Sequence, residues 1–158
     1  MDGEDGQNEV IDERHVRILL VDDQAFNLIL LENLIDSSFV NCAIETALNG
    51  RIALEKVIEN DKEGTPFDII FMDINMPEMD GFESSRLISK EFREGRLTVM
   101  PYISAITAYT SEGMKQNSTR CGMQKFLTKP AEFDLVFGLI SDFLNDRDNG
   151  SPQKKSSS

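Results

Sequence analysis

The stretch Phe67-Asp68-Ile69-Ile70-Phe71-Met72-Asp73-Ile74-Asn75-Met76-Pro77-Glu78-Met79-Asp80-Gly81 carries a short apolar run that ends on a carboxylate and runs straight into Pro and Gly. An unbroken apolar run bounded by turn residues reads as a strand buried on both faces, the kind found inside parallel sheets. In such sheets chemistry sits just past the carboxyl ends of the strands. Asp73 is therefore the first candidate for a functional group, and the strand Phe67 to Met72 is the expected centre of the sheet.

Working outward, strand and helix patterns alternate with no internal repeat. Val16 to Val21 and Asn41 to Leu48 read as strands, the second with the mixed patterning of an edge. Met100 to Ile106 and Gln124 to Thr128 complete the set, with Pro101 confined to the start of its strand. Helical periodicity falls on Ala25 to Ser37, Arg51 to Asn60, Gly81 to Arg93, Ser111 to Thr119 and Glu132 to Asn145. On the first helix Phe26, Leu30 and Leu34 share one side, broadened by Leu28, Leu31 and Ile35. The expected fold class is α/β: a doubly wound, five-stranded parallel sheet with five helices, flavodoxin-like, in strand order 2-1-3-4-5. That order sets strands one and three side by side and brings Asp22 and Asp23, which end the first strand, next to Asp73.

Composition bounds the alternatives. The chain has 158 residues, 40% of them hydrophobic, and 16 basic against 28 acidic side chains give a net charge of −12. That balance excludes a nucleic-acid surface, since phosphate contacts need Lys and Arg. No apolar stretch is long enough for membrane insertion. Cys42 and Cys121 are far apart and form no C-x-x-C motif, which fits a reducing, cytoplasmic setting with each acting as a small apolar group. Residues 1–14 read as a disordered acidic leader, 15–146 as one domain and 147–158 as a polar disordered tail. His15 has no acidic partner in sequence and is expected to be inert.

Three carboxylates in one crevice repel each other, and a divalent cation removes the conflict. Mg²⁺ takes hard oxygen ligands and keeps several waters, so two or three protein oxygens suffice. Phosphoryl transfer needs alignment and charge neutralisation rather than elaborate covalent help. Thr107 ends the fourth strand and Lys129 follows the fifth, so a hydroxyl, an ammonium and the metal would each cover a phosphoryl oxygen, leaving Asp73 as nucleophile.

At these residues the chain resembles a response-regulator receiver domain. The matching stretches are Ile18-Leu19-Leu20-Val21-Asp22-Asp23, Met72 to Gly81, Ala105-Ile106-Thr107-Ala108 and Phe126-Leu127-Thr128-Lys129-Pro130. The resemblance implies that Asp73 accepts a phosphoryl group from a histidine kinase or histidine phosphotransfer protein. It implies Mg²⁺ ligation by Asp23 and Asp73, by the main-chain carbonyl of Asn75, and by Asp22 through water. Lys129 would pair with Asp73, Thr107 and Phe126 would form the switch, and the Lys129-Pro130 peptide would be cis. Asp-Ile-Asn-Met-Pro-Glu-Met-Asp-Gly and Gly122-Met123 ahead of Phe-Leu-Thr-Lys-Pro resemble receivers of hybrid histidine kinases. No kinase core is present, so the chain reads as a stand-alone receiver or as a piece of such a kinase, itself cytoplasmic or the cytosolic part of a membrane-bound sensor.

Further expectations concern the surface. The fourth helix carries few apolar anchors and is expected to shift easily. On the fifth helix Phe133, Val136, Phe137, Ile140, Phe143 and Leu144 are expected in the core, with Leu135 and Leu139 off it as a docking or dimer patch, consistent with a monomer or weak dimer. The stretches Asp61 to Thr65 and Glu94 to Thr98 are expected to absorb extra length away from the site. Two alternatives stand beside the phosphoacceptor: a Mg²⁺-dependent phosphohydrolase with an aspartate nucleophile, disfavoured by Asn75 at the acid–base position, and a pseudo-receiver scaffold that is never phosphorylated.

Overall fold

The structure, a computed structural model, describes residues 16–39, 41–108, 111–129 and 133–148. The elements alternate strictly: β1(Val16–Val21), α1(Ala25–Ser38), β2(Cys42–Ala47), α2(Gly50–Lys62), β3(Ile69–Asp73), α3(Gly81–Arg93), β4(Tyr102–Thr107), α4(Glu112–Arg120), β5(Lys125–Thr128) and α5(Phe133–Asp148). All strand pairs are parallel and the order is β2-β1-β3-β4-β5, as the sequence predicts.

Every residue of β3 is buried, which is why its sequence shows no polar alternation. Successive side chains of a strand point to opposite faces, and the core divides accordingly. Leu19, Val21, Ile70, Met72, Ile103 and Ala105 pack with Ala53 and Val57 of α2 and Ile88 of α3. Ile18, Leu20, Ile69 and Phe71 pack with Leu28 and Ile35 of α1 and Val136, Leu139, Ile140 and Phe143 of α5. Each of these Val, Leu, Ile, Phe and Met side chains contributes about 1.5–3 kcal/mol through burial. Register then does the positioning: Val21 lies opposite Met72, Asp73 opposite Ile106, and Thr107 opposite Thr128. The residues just past these points, Asp22 and Lys129, fall at the same edge as Asp73 and Thr107.

Two helix faces differ from expectation. On α1, Leu28 and Ile35 are buried and Leu31 packs on the same cluster, while Phe26 and Leu30 face outward. The first turns of α1 are apolar on most sides, with Asn27 as the polar exception, so periodicity cannot choose the inner face. On α5, Leu139 belongs to the core and Phe137 is 40% exposed, resting against Phe39 with ring centroids 4.9 Å apart. Leu135 lies outside the core as expected.

The two stretches expected only to absorb length are tied together. Buried Asp61, near the end of α2, accepts hydrogen bonds from the Thr98 N–H (3.0 Å), the Thr98 hydroxyl (3.1 Å) and the Val99 N–H (3.3 Å). Neither cysteine is in a disulfide. Cys121 is buried, whereas Cys42 is half-buried. Burial and the neighbouring Asp36 push the Cys42 thiol up to about 11. No helix among the described residues is long and apolar enough to cross a membrane. The leader 1–14, His15, Pro130 of the expected cis peptide and residues 149–158 lie outside the described residues.

Candidate functional site: an acidic hollow closed by a lysine

Asp22, Asp23 and Asp73 each offer a carboxylate oxygen, and these atoms all lie within 4.8 Å of one another. Asp22 and Asp73 are 5% exposed; Asp23 is half-buried at the rim. Acids are tolerated here because the sheet ends and its last residues meet polar partners. Asp22 accepts from the Gln24 N–H at 2.8 Å and from the Asn27 side-chain amide at 3.3 Å. Gln24 occupies the cap position of α1 with no side-chain capping bond.

Lys129 closes the hollow. Its Nζ donates to Asp22 Oδ2 at 2.7 Å and lies 3.2 Å from Asp73 Oδ2. The expected partner was Asp73; the structure shares the ammonium between both acids, with the shorter contact to Asp22. Burial works against the charge on Lys129, but the hydrogen bond and charge of Asp22 and the charge of Asp73 outweigh it and raise its pKa. Burial also pushes the Asp73 carboxyl above its ordinary value. Lys129 pulls it back, Asp22 pushes it up again, and the Asn75 main-chain N–H donates to it. The net effect is raised, with burial the largest cause and the Asp22 charge adding to it.

Thr107 is fully buried at the end of β4, and its hydroxyl accepts a hydrogen bond from the exposed Asn75 side-chain amide at 3.3 Å. The Lys129 N–H donates to the Thr107 carbonyl at 2.7 Å, fixing the two residues side by side. Phe126 is half-buried against the core on the face covered by α2 and α3. The turn after Asp73 needs Gly81: a Cβ there would collide with the Asp73 carbonyl oxygen. Asp80 caps α3 by accepting from the Glu83 N–H at 2.8 Å.

Asp22, Asp23, Asp73, Asn75, Thr107 and Lys129 therefore lie together, while Phe126 packs against the core and Pro130 lies outside the described residues. Sequence reasoning missed Asn27, whose amide steadies Asp22. The available signal was its polarity: Asn27 interrupts an otherwise apolar run, Ala25 to Leu31.

The acid trio, the lysine and the buried threonine lie together at the carboxyl ends of a 2-1-3-4-5 sheet. Residues 18–140 match the model of the response regulator receiver domain, and the chain belongs to that family. It is 37% identical over 130 residues to hybrid signal transduction histidine kinase L of Dictyostelium discoideum, a match covering 80% of this chain and 7% of that kinase. The chain thus spans a small part of the curated relatives it matches. Among solved structures, the receiver domain of the histidine kinase CKI1 from Arabidopsis thaliana, complexed with Mg²⁺ and BeF3⁻, superposes with a TM-score of 0.69 at 29% identity, covering 82% of this chain and 89% of that one. The Ssk1 receiver from Saccharomyces cerevisiae, crystallised with the histidine phosphotransfer protein Ypd1, shares the fold at a TM-score of 0.72 and 24% identity, covering 84% and 91%. The chain is a receiver domain of the phosphorelay kind.

Proposed function

We propose that Asp73 is the phosphoacceptor and that its donor is a phosphohistidine on a histidine kinase or a histidine phosphotransfer protein. An Asp73 Oδ attacks phosphorus; the O–P bond forms as the N–P bond breaks. The imidazole nitrogen keeps the electron pair and takes up a proton. One observation carries this assignment: Asp73 ends β3, the strand lying between β1, which leads into Asp22 and Asp23, and β4, which ends on Thr107, and its carboxylate lies 3.2 Å from the Lys129 ammonium. Lys129 is then positioned to neutralise a phosphoryl oxygen and to hold the attacking carboxylate ionised.

The donor set fits Mg²⁺: three hard carboxylates crowded together with one shared ammonium leave net negative charge in the hollow. Asp23 and Asp73 would hold the ion directly, with the Asn75 main-chain carbonyl as a further ligand and Asp22 through water. When bound, it supplies charge neutralisation for the transferring phosphoryl oxygens. A phosphoryl oxygen would give the Thr107 hydroxyl a stronger acceptor than any neutral group nearby. Movement of Thr107 toward it opens room for Phe126 to pack inward, altering the surface of α4, β5 and α5. The domain is a regulated acceptor rather than a turnover enzyme, because the position two after Asp73 holds an amide, Asn75, which cannot serve as a general acid–base carboxylate. Its donor chemistry fits a cytoplasmic setting, and the domain works as a monomer or weak dimer.

Acetyl phosphate labelling tests this. With Mg²⁺ the wild-type chain should gain one phosphoryl group that strong acid, alkali and hydroxylamine all release, and EDTA should prevent its uptake. Labelling of Asp73→Asn at the wild-type rate would refute the assignment.

A further inference from the structure

α4 is the least apolar helix of the fold. Its nine residues, Glu112-Gly113-Met114-Lys115-Gln116-Asn117-Ser118-Thr119-Arg120, hold one large apolar side chain, Met114. Met114 is half-buried and packs against the same core cluster as Met100 and Phe126. Ser118 is the buried residue of α4, and its hydroxyl donates to the Lys115 carbonyl of the same helix at 2.7 Å. The carboxyl end is tied by the main chain, where the Met123 N–H donates to the Ser118 carbonyl at 2.9 Å. At the amino end the Met114 N–H donates to the Ser111 hydroxyl at 3.1 Å, a bond local to the cap. Met114 is therefore the apolar anchor of the amino-terminal half of α4 among the described residues.

A thioether at that position can change its polarity. Reduced, it is a soft apolar group that fills an irregular contact. Two-electron oxidation makes it a polar, chiral sulfoxide that no longer suits an apolar surface. Access separates the methionines. Met72, Met76 and Met123 are 0%, 8% and 4% exposed, whereas Met114 is only half-buried. Met79 and Met100 are half-buried too, but Met79 lies in the turn before α3 and Met100 precedes β4, so neither holds a helix down. Peroxide thus reaches the sulfur that anchors α4 while the buried methionines stay shielded.

We propose that Met114 is an oxidative modification site, and that α4 is released when hydrogen peroxide converts its thioether to the sulfoxide. A sulfur lone pair attacks one peroxide oxygen; the S–O bond forms as the O–O bond breaks. The departing hydroxide takes the proton of the transferred hydroxyl and leaves as water, so sulfur is oxidised by two electrons and peroxide is reduced. The amino-terminal half of α4 then opens locally and bares the part of the core that Met114 and Phe126 share. Methionine sulfoxide reductases reverse the change. No residue of the acidic hollow takes part, so the response stands apart from the phosphoacceptor assignment and extends to the Asp73→Asn chain.

The test treats the wild-type chain with dilute hydrogen peroxide, maps oxidised methionines by peptide mass and follows amide hydrogen exchange. Met114 should gain one oxygen before Met72, Met76 and Met123. The amides of α4 should then exchange about tenfold faster, as for loss of a partly buried methionine contact, while those of β3 keep their rate. Met114→Leu, which keeps an apolar side chain of similar volume, should hold α4 at the untreated rate in peroxide. Met114→Gln, polar and of similar length, should loosen α4 without peroxide. Unchanged α4 exchange in a chain oxidised at Met114 overturns the proposal, as does oxidation of the buried methionines ahead of Met114. Loosening that persists in Met114→Leu places the sensitive sulfur elsewhere and overturns it too. An equal loosening of β3, the mark of general unfolding, or loss of the response in Asp73→Asn does the same.

Discussion

Replacing Asp23 by Asn should stabilise this protein in the absence of divalent metal. Asp23 has no hydrogen-bond or ion-pair partner among the described residues, and the Lys129 ammonium goes to Asp22 and Asp73. Its carboxylate lies within 4.8 Å of both other acids. At that distance each like-charge pair costs about 0.9 kcal/mol in a water-like dielectric and about 3.5 kcal/mol at an effective dielectric constant near 20. Asp23 is half-exposed, so the lower limit governs. Two relieved pairs then give about 2 kcal/mol, or a rise in Tm of roughly 4–8 °C. The assay is a circular-dichroism melt of both proteins in EDTA at low salt, repeated with excess Mg²⁺. The gain should shrink in high salt through screening. It should shrink again in Mg²⁺, because only the wild-type chain retains the full ligand set. A variant that melts lower than wild type in EDTA, or that keeps the wild-type response to Mg²⁺, would show that Asp23 is a structural residue and not part of a metal-binding charge cluster.

Other outcomes follow from the same coordinates. Asp61→Ala should cost about 2–4 kcal/mol in urea denaturation, since it leaves the Thr98 and Val99 N–H groups without their acceptor; its labelling by acetyl phosphate should match wild type, and a lost label would link that far end of the sheet to the site. Ser85 is fully buried with a hydroxyl that has no partner among the described residues, so Ser85→Ala should be neutral or stabilising by about 1 kcal/mol, and a clear destabilisation in the same assay would contradict this. Asp73 has a folded-state pKa above its ordinary 3.8. Below that ordinary value both states are protonated; as pH rises the unfolded chain ionises first, so stability is lost through the folded-state pKa. The stability advantage of Asp73→Asn in EDTA should therefore grow as pH rises through the weakly acid range, and an advantage that falls with pH would contradict the burial and crowding of Asp73.

Much of this architecture was legible because it rests on one-dimensional patterns. The buried run Ile69 to Met72 and the acids and lysine closing β1, β3 and β5 are local signals, and the right-handed crossover rule turns them into neighbours. What remained hidden depends on choices that periodicity does not encode. α1 is apolar on two sides, so nothing in its spacing told Leu28 from Leu30. Leu139 and Phe137 exchanged roles on α5 because Phe137 found Phe39, a residue 98 positions away (137 − 39). The Asp61 clamp joins residues 37 positions apart, and Asp61 carries no local mark that separates it from the surface acids around it. In the site, the identity of the groups was readable, but the sharing of Lys129 between Asp22 and Asp73 is a matter of a few tenths of an ångström.

The most direct measurement locates the phosphoryl group chemically. After treatment with acetyl phosphate and Mg²⁺, borohydride reduces an aspartyl phosphate to the alcohol and releases phosphate, and peptide mass mapping then identifies the altered position. The change should fall on Asp73 and vanish when Mg²⁺ is chelated. A modification on Asp22, Asp23 or any residue outside the hollow, with Asp73 untouched, would contradict the account.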